Sequence, residues 1–116
     1  MKKIDLSQQI IGRFYFKRTQ NGNLIGEFSN NVILRTLTES ADIIDPLDGF
    51  RGKYHTTWQE DGDSIFANLT IGFKDGTGNS IYQLSWTTKD GTLMFLGEGF
   101  LVDGILIGDY RDFGII

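Results

Sequence analysis

Five dipeptides limit what this chain can fold into. Asn21-Gly22, Asp61-Gly62, Asp75-Gly76, Asp90-Gly91 and Asp103-Gly104 each separate two runs rich in apolar residues. A type I′ turn needs positive φ at both central residues, so Asn-Gly or Asp-Gly in this setting is the strongest short-range signal of a β-hairpin. Helical periodicity is nearly absent. The pattern predicts strands at 10–19, 23–30, 32–38, 52–60, 64–74, 78–89, 92–102 and 105–112. The segment 39–51, ESADIIDPLDGFR, contains the one proline and reads as a loop or a short helical turn.

Register gives a check on these turns. Residues paired across a hairpin share a face of the sheet. Around Asp61-Gly62 a two-residue turn aligns Trp58 with Ile65, Thr56 with Ala67 and Tyr54 with Leu69. Around Asp75-Gly76 it aligns Ile65 with Trp86, Ala67 with Leu84 and Leu69 with Tyr82. Around Asp90-Gly91, Trp86 meets Phe95, Leu84 meets Gly97 and Tyr82 meets Gly99; around Asp103-Gly104, Gly99 meets Gly108 and Gly97 meets Tyr110. One apolar, aromatic face thus runs across five strands. In the first hairpin, a three-residue loop with Gly22 left-handed pairs Phe14 with Phe28 and Phe16 with Gly26, which matches apolar to apolar.

Successive antiparallel strands with one continuous apolar face predict an all-β fold: a single up-and-down antiparallel barrel of about eight strands, one domain over 1–116. Closure removes the two exposed edges that an open sheet would present. An open sheet completed by a second subunit is the alternative.

Charge and composition narrow the function. The net charge of −4 argues against a nucleic-acid backbone or an anionic membrane surface as partner. With no cysteine there is no thiolate metal site and no thiol nucleophile. The start, MKKIDLSQQIIG, lacks the apolar run of a signal peptide, and no stretch is long enough to span a bilayer, so a cytoplasmic location is expected. His55 stands alone on a polar face, and Asp42, Asp45 and Asp48 lack the glycine and terminal glutamate of an EF-hand loop. No catalytic residue, metal or cofactor is implied.

The segment IIGRFYFKRTQNGNLIGEF is similar to the opening hairpin of calycin-type barrels: lipocalins, fatty-acid-binding proteins and avidins. Gly12-Arg13-Phe14 stands where those families usually have Gly-x-Trp, and Asn21-Gly22-Asn23-Leu24-Ile25-Gly26-Glu27-Phe28 resembles the avidin order of turn, Leu, Gly and aromatic. The likeness covers about twenty residues, with Phe14 in place of the family's tryptophan. It implies a barrel with ligand binding in its interior and carries over no functional residue. Fold alone does not give function.

The inner face supplies the candidate site. Gly97, Gly99 and Gly108 fall together on it, beside Tyr82, Leu84 and Tyr110, with Tyr54, Thr56, Trp58, Trp86 and Phe95 around them. Missing side chains inside aromatic walls describe a small-molecule pocket; glycines at a barrel corner packed over by aromatics would look the same in sequence. The ligand-binding set is therefore Tyr54, Thr56, Trp58, Tyr82, Trp86, Gly97, Gly99, Gly108 and Tyr110, for a small apolar or aromatic molecule.

The late strands are apolar on their outer side too. Ile81, Met94, Leu96, Phe100, Ile105 and Ile107 share that side with Val102, a patch that predicts a homo-oligomer unless 39–51 or the tail covers it. Glu98 faces Asp109 there, near Arg111. Three functions follow: a non-catalytic binding barrel, an oligomeric structural or interaction module with a filled core, and, third, a barrel isomerase or cyclase. The last requires an inward carboxylate of raised pKa; the register offers none, and Glu27 would qualify only with a two-residue first turn.

Overall fold

A computed structural model describes residues 9–33 and 35–112. Eight antiparallel strands follow one another: β1 (Ile11–Arg18), β2 (Leu24–Asn30), β3 (Leu37–Asp48), β4 (Arg51–Glu60), β5 (Asp63–Phe73), β6 (Tyr82–Thr87), β7 (Leu93–Val102) and β8 (Ile105–Asp112). Each pairs with its neighbour, and β8 pairs back onto β1, closing an up-and-down barrel. At the seam the Ile10 amide donates to Asp112 Oδ1 at 3.0 Å, and the Asp112 amide to the Ile10 carbonyl at 3.1 Å. Among the described residues no helix is long and apolar enough to cross a membrane.

Across three of the dipeptide turns the register is the one expected: Trp58 faces Ile65, Trp86 faces Phe95 and Gly99 faces Gly108. The first hairpin has its three-residue loop, with Gly22 at φ +83° and Phe14 opposite Phe28. Glu27 consequently points outward, where it accepts the Tyr15 hydroxyl proton.

Two expectations are corrected. The β5–β6 turn is not centred on Asp75-Gly76. The Lys74 amide donates to the Ile81 carbonyl at 2.8 Å, so six residues form the loop and Leu69, not Ile65, faces Trp86. Gly76, Gly78 and Asn79 all adopt positive φ, and these extra left-handed positions let the turn widen. The slip is even in residues, so the inner face is unchanged.

The second correction concerns 39–51, which is neither loop nor helical turn. Most of it is β3, which begins at Leu37, and of the strand expected at 32–38 residues 32, 33, 35 and 36 lie outside any strand, with 34 outside the described residues. Glu39 and Ala41 are buried, with Ser40 and Asp42 facing the other way, a strand alternation whose most buried members are a carboxylate and a methyl, flanked on the same face by Leu37 and Ile43. Pro46 sits between two register shifts against β4, where a missing amide breaks no regular ladder. Gly49 and Phe50 form the two-residue turn between the paired Asp48 and Arg51, with Gly49 at φ +48° in the first turn position, unlike the turns centred on Asp-Gly.

The core divides along the barrel axis. Phe16, Leu24, Tyr54, Leu69, Ile71, Leu84 and Leu106 fill one end almost without exposure. Phe14, Phe28, Trp58, Trp86 and Tyr110 form the core toward the other.

Candidate functional site

The aromatic end surrounds a partly open cavity of about 80 Å³. Its walls come from seven strands: Phe14 (β1), Phe28 and Asn30 (β2), Glu39 (β3), Trp58 and Glu60 (β4), Trp86 (β6), Phe95 (β7) and Tyr110 (β8) come together because the register sets them at one level. Ile10, Val32 and Ile33 edge the mouth. Most ring pairs meet edge to face, as ring quadrupoles favour: Phe95–Tyr110 centroids lie 5.5 Å apart at 87°, Phe14–Trp86 5.8 Å at 78° and Phe28–Trp58 5.9 Å at 79°. Rings held in this way enclose space that aliphatic side chains would fill.

Polar groups inside are few and fixed. The Glu39 side chain is 96% buried, and its Oε2 accepts from Thr56 Oγ1 at 2.6 Å and from Trp86 Nε1 at 2.8 Å. Burial pushes its pKa from the ordinary 4.5 up to about 7, against the opposing pull of these two donors. Trp58 Nε1 donates to Glu60 Oε1 at 2.9 Å. Asn30 Nδ2 donates to the Tyr110 hydroxyl at 3.0 Å, while Asn30 Oδ1 accepts from the amides of Val32 and Ile33 and ties 31–33 over the rim. Burial raises the Tyr110 pKa to about 12, so the phenol keeps its proton. Glu39 Oε1 accepts no hydrogen bond from the described residues.

Of the residues expected to bind a ligand, Trp58, Trp86 and Tyr110 line this cavity, and Thr56 lies behind it as a donor to Glu39. Tyr54 and Tyr82 belong to the filled end. The Tyr54 hydroxyl donates to the Phe50 carbonyl at 2.6 Å, and the Tyr82 ring lies 4.9 Å from that of Phe73. The three glycines are not in the cavity wall. A Cβ on Gly108 would stand 1.9 Å from the Glu98 carbonyl oxygen, and those on Gly97 and Gly99 2.7 Å from the carbonyls of Asp109 and Ile107. They make room for neighbouring backbone where β7 and β8 approach. Gly12 makes room for a ring as well as backbone, since its Cβ would meet both the Tyr110 ring and the Ser29 carbonyl oxygen at 2.5 Å.

Glu39 is the buried carboxyl of this candidate site and was not expected from the sequence; Phe14, Phe28, Asn30 and Glu60 also line the cavity without having been in the expected set. The burial of Glu39 depends on β3 continuing past residue 38, and the overlooked signal was Asp48-Gly49, which marks a hairpin whose first strand must include it. On the outer surface, Phe100, Leu101, Val102 and Ile107 are exposed, Ile81, Leu96 and Ile105 are half-buried, and Met94 packs against the core. Glu98 does face Asp109, and Arg111 lines the same surface groove as both, but the ion pair of Glu98 is with Lys74, whose Nζ is 2.5 Å from Glu98 Oε2.

Comparison with family models, with curated proteins and with solved structures finds no match to this chain.

Proposed function

We propose that this is a non-catalytic binding barrel, calycin-like in holding a small molecule with an apolar or aromatic part in its interior. One observation carries the reading: six aromatic side chains surround a cavity into which a few fixed polar groups converge. A cavity of about 80 Å³ takes only part of a drug-sized molecule, so the remainder of the ligand extends through the mouth. Both tryptophans of the chain line the site, so intrinsic fluorescence reports its occupancy directly. Native mass spectrometry of freshly purified protein is expected to show a non-covalent adduct whose removal changes that fluorescence. Protein with no adduct, and with emission indifferent to a panel of small aromatic and aliphatic compounds, would refute the reading.

A proton-transfer enzyme, an isomerase or cyclase, is the second reading, and Glu39 is the observation that favours it. A carboxyl with a pKa near 7 exchanges protons readily at neutral pH. Recovery of the bound compound chemically unchanged after long incubation would exclude turnover of that compound.

The outer side of β7 and β8 supports assembly into a homo-oligomer, because Phe100 and Val102 on β7 and Ile107 on β8 are each at least 39% exposed on adjoining strands. Phe100→Asp is expected to dissociate the assembly in sedimentation velocity; an unchanged size would remove this face from consideration.

A further inference from the structure

Charge distinguishes this cavity more sharply than shape. Among the described residues, the ionisable ones lining it are Glu39, Glu60 and Tyr110, with no lysine, arginine or histidine. Arg35 shares an outer groove with Glu60 and Asp61, outside the aromatic ring. Each carboxylate is held on one oxygen by an indole N–H: Glu39 Oε2 by Trp86, Glu60 Oε1 by Trp58. A carboxylate has about four acceptor positions, yet Glu39 receives two neutral donors, both on Oε2, although it is almost wholly buried. Its Oε1 is therefore an acceptor with no donor among the described residues, in a site lined by six aromatic rings. Such rings attract cations through their negative faces, and a buried carboxylate gains most from a charged donor.

Resting on the binding reading above, we infer that the cavity receives a small organic cation: a primary ammonium group that donates to Glu39 Oε1 while its first carbons lie among the aromatic rings. An anion would add a third negative charge beside Glu39 and Glu60, and a neutral alcohol would leave the carboxylate uncompensated. Size agrees. A cavity of about 150 Å³ takes benzene, so about 80 Å³ suits an ammonium with a short branched alkyl stem.

The inference carries a pH signature. Glu39 must be ionised to pair with the cation. The ionisable groups that face it are Glu60 from β4 and Tyr110 from β8; the other strands present Phe14, Phe28, Asn30, Trp86 and Phe95. An alkylammonium, with a pKa of about 10 like that of lysine, stays charged throughout the neutral range.

Three probes of like shape test this by tryptophan fluorescence and calorimetry on the intact chain: isobutylamine, isobutanol and isobutyrate. At pH 8 the amine is expected to bind at least about tenfold more tightly than the alcohol, as close buried charge pairs do, and isobutyrate not to bind. Below pH 7 the amine's affinity should fall about tenfold per pH unit, while the alcohol's stays flat. Glu39→Gln, which keeps an acceptor for Thr56 and Trp86, should abolish the amine preference and spare alcohol binding. Equal binding of amine and alcohol at pH 8, or an amine preference that survives Glu39→Gln, would overturn the cation inference and leave the pocket standing. Failure of all three probes to bind would overturn both. The wild-type pH profile decides independently if the variant does not fold.

Discussion

At the closed end of the barrel, Phe16, Leu24, Leu69, Ile71, Leu84 and Leu106 are at most 2% exposed, with the aliphatic side chains packed among Phe50, Tyr54 and Tyr82. At the mouth, the same strands carry Phe14, Phe28, Trp58, Trp86, Phe95 and Tyr110, and the space between the rings stays open. The difference lies in what each side chain can do at a barrel's radius. Branched and flexible aliphatics interdigitate to the density of an organic crystal. Rings in edge-to-face contact hold fixed angles, and tryptophan and tyrosine bring polar ends that need partners. Those partners are Glu39, Glu60 and Asn30, so the aromatic end holds nearly all of the barrel's interior polarity. The closed end carries stability, and the mouth gives up some of it to keep polar groups around an open space.

The widest gap between the two ends should appear on truncation. Phe16→Ala in the closed end is expected to cost about 4 kcal/mol by chemical denaturation, in the range for a fully buried aromatic. A loss below about 2 kcal/mol would mean that end is less well packed than its burial implies.

Next in size is a pH effect from the mouth. The Glu39 carboxyl titrates near 4.5 in the unfolded chain and near 7 in the barrel. Between those values the native state binds the extra proton, so stability falls as pH rises through that window, by about 3 kcal/mol in all. Below it both states are protonated and the penalty is absent; above it both are ionised and the penalty is complete. Denaturation midpoints at pH 4.5 and pH 8 should show this slope in wild type and lose it in Glu39→Gln. A variant that keeps the slope would place the titrating group elsewhere.

The smallest effect sharpens the same contrast. Phe95→Ala at the mouth borders an existing void and removes a ring that is only partly buried, so about 1 kcal/mol is expected. A loss equal to that of Phe16→Ala would erase the distinction between the ends.

The two ends were also unequally legible in the sequence. Asp61-Gly62 and Asp103-Gly104 set register locally, because a two-residue turn leaves its strands one way to pair. Asp90-Gly91 sits in a three-residue loop, and a bulge at Trp86–Thr87 restores the expected pairing of Trp86 with Phe95. Even the misplaced centre of the β5–β6 loop left the inner face intact, since its shift was even. Side-chain alternation thus revealed Trp58, Trp86 and Tyr110 as inward. Glu39 escaped because a strand is recognised by apolar alternation, and β3 turns a glutamate and an alanine inward beside a proline that reads as loop. Gly97, Gly99 and Gly108 marked positions that tolerate no side chain, but composition does not distinguish open space from a neighbouring backbone. That choice belongs to the packing of β7 on β8.

The seam between β1 and β8 has a kinetic consequence. The Ile10–Asp112 pair joins positions 102 residues apart, whereas the other strand junctions are hairpins or nearest neighbours along the chain. Loop-closure entropy opposes such a contact until the intervening strands are assembled. A meander with β1 and β8 unpaired should therefore precede the native barrel, and during its lifetime two free backbone edges, one bordered by Ile107, stand ready to recruit another chain.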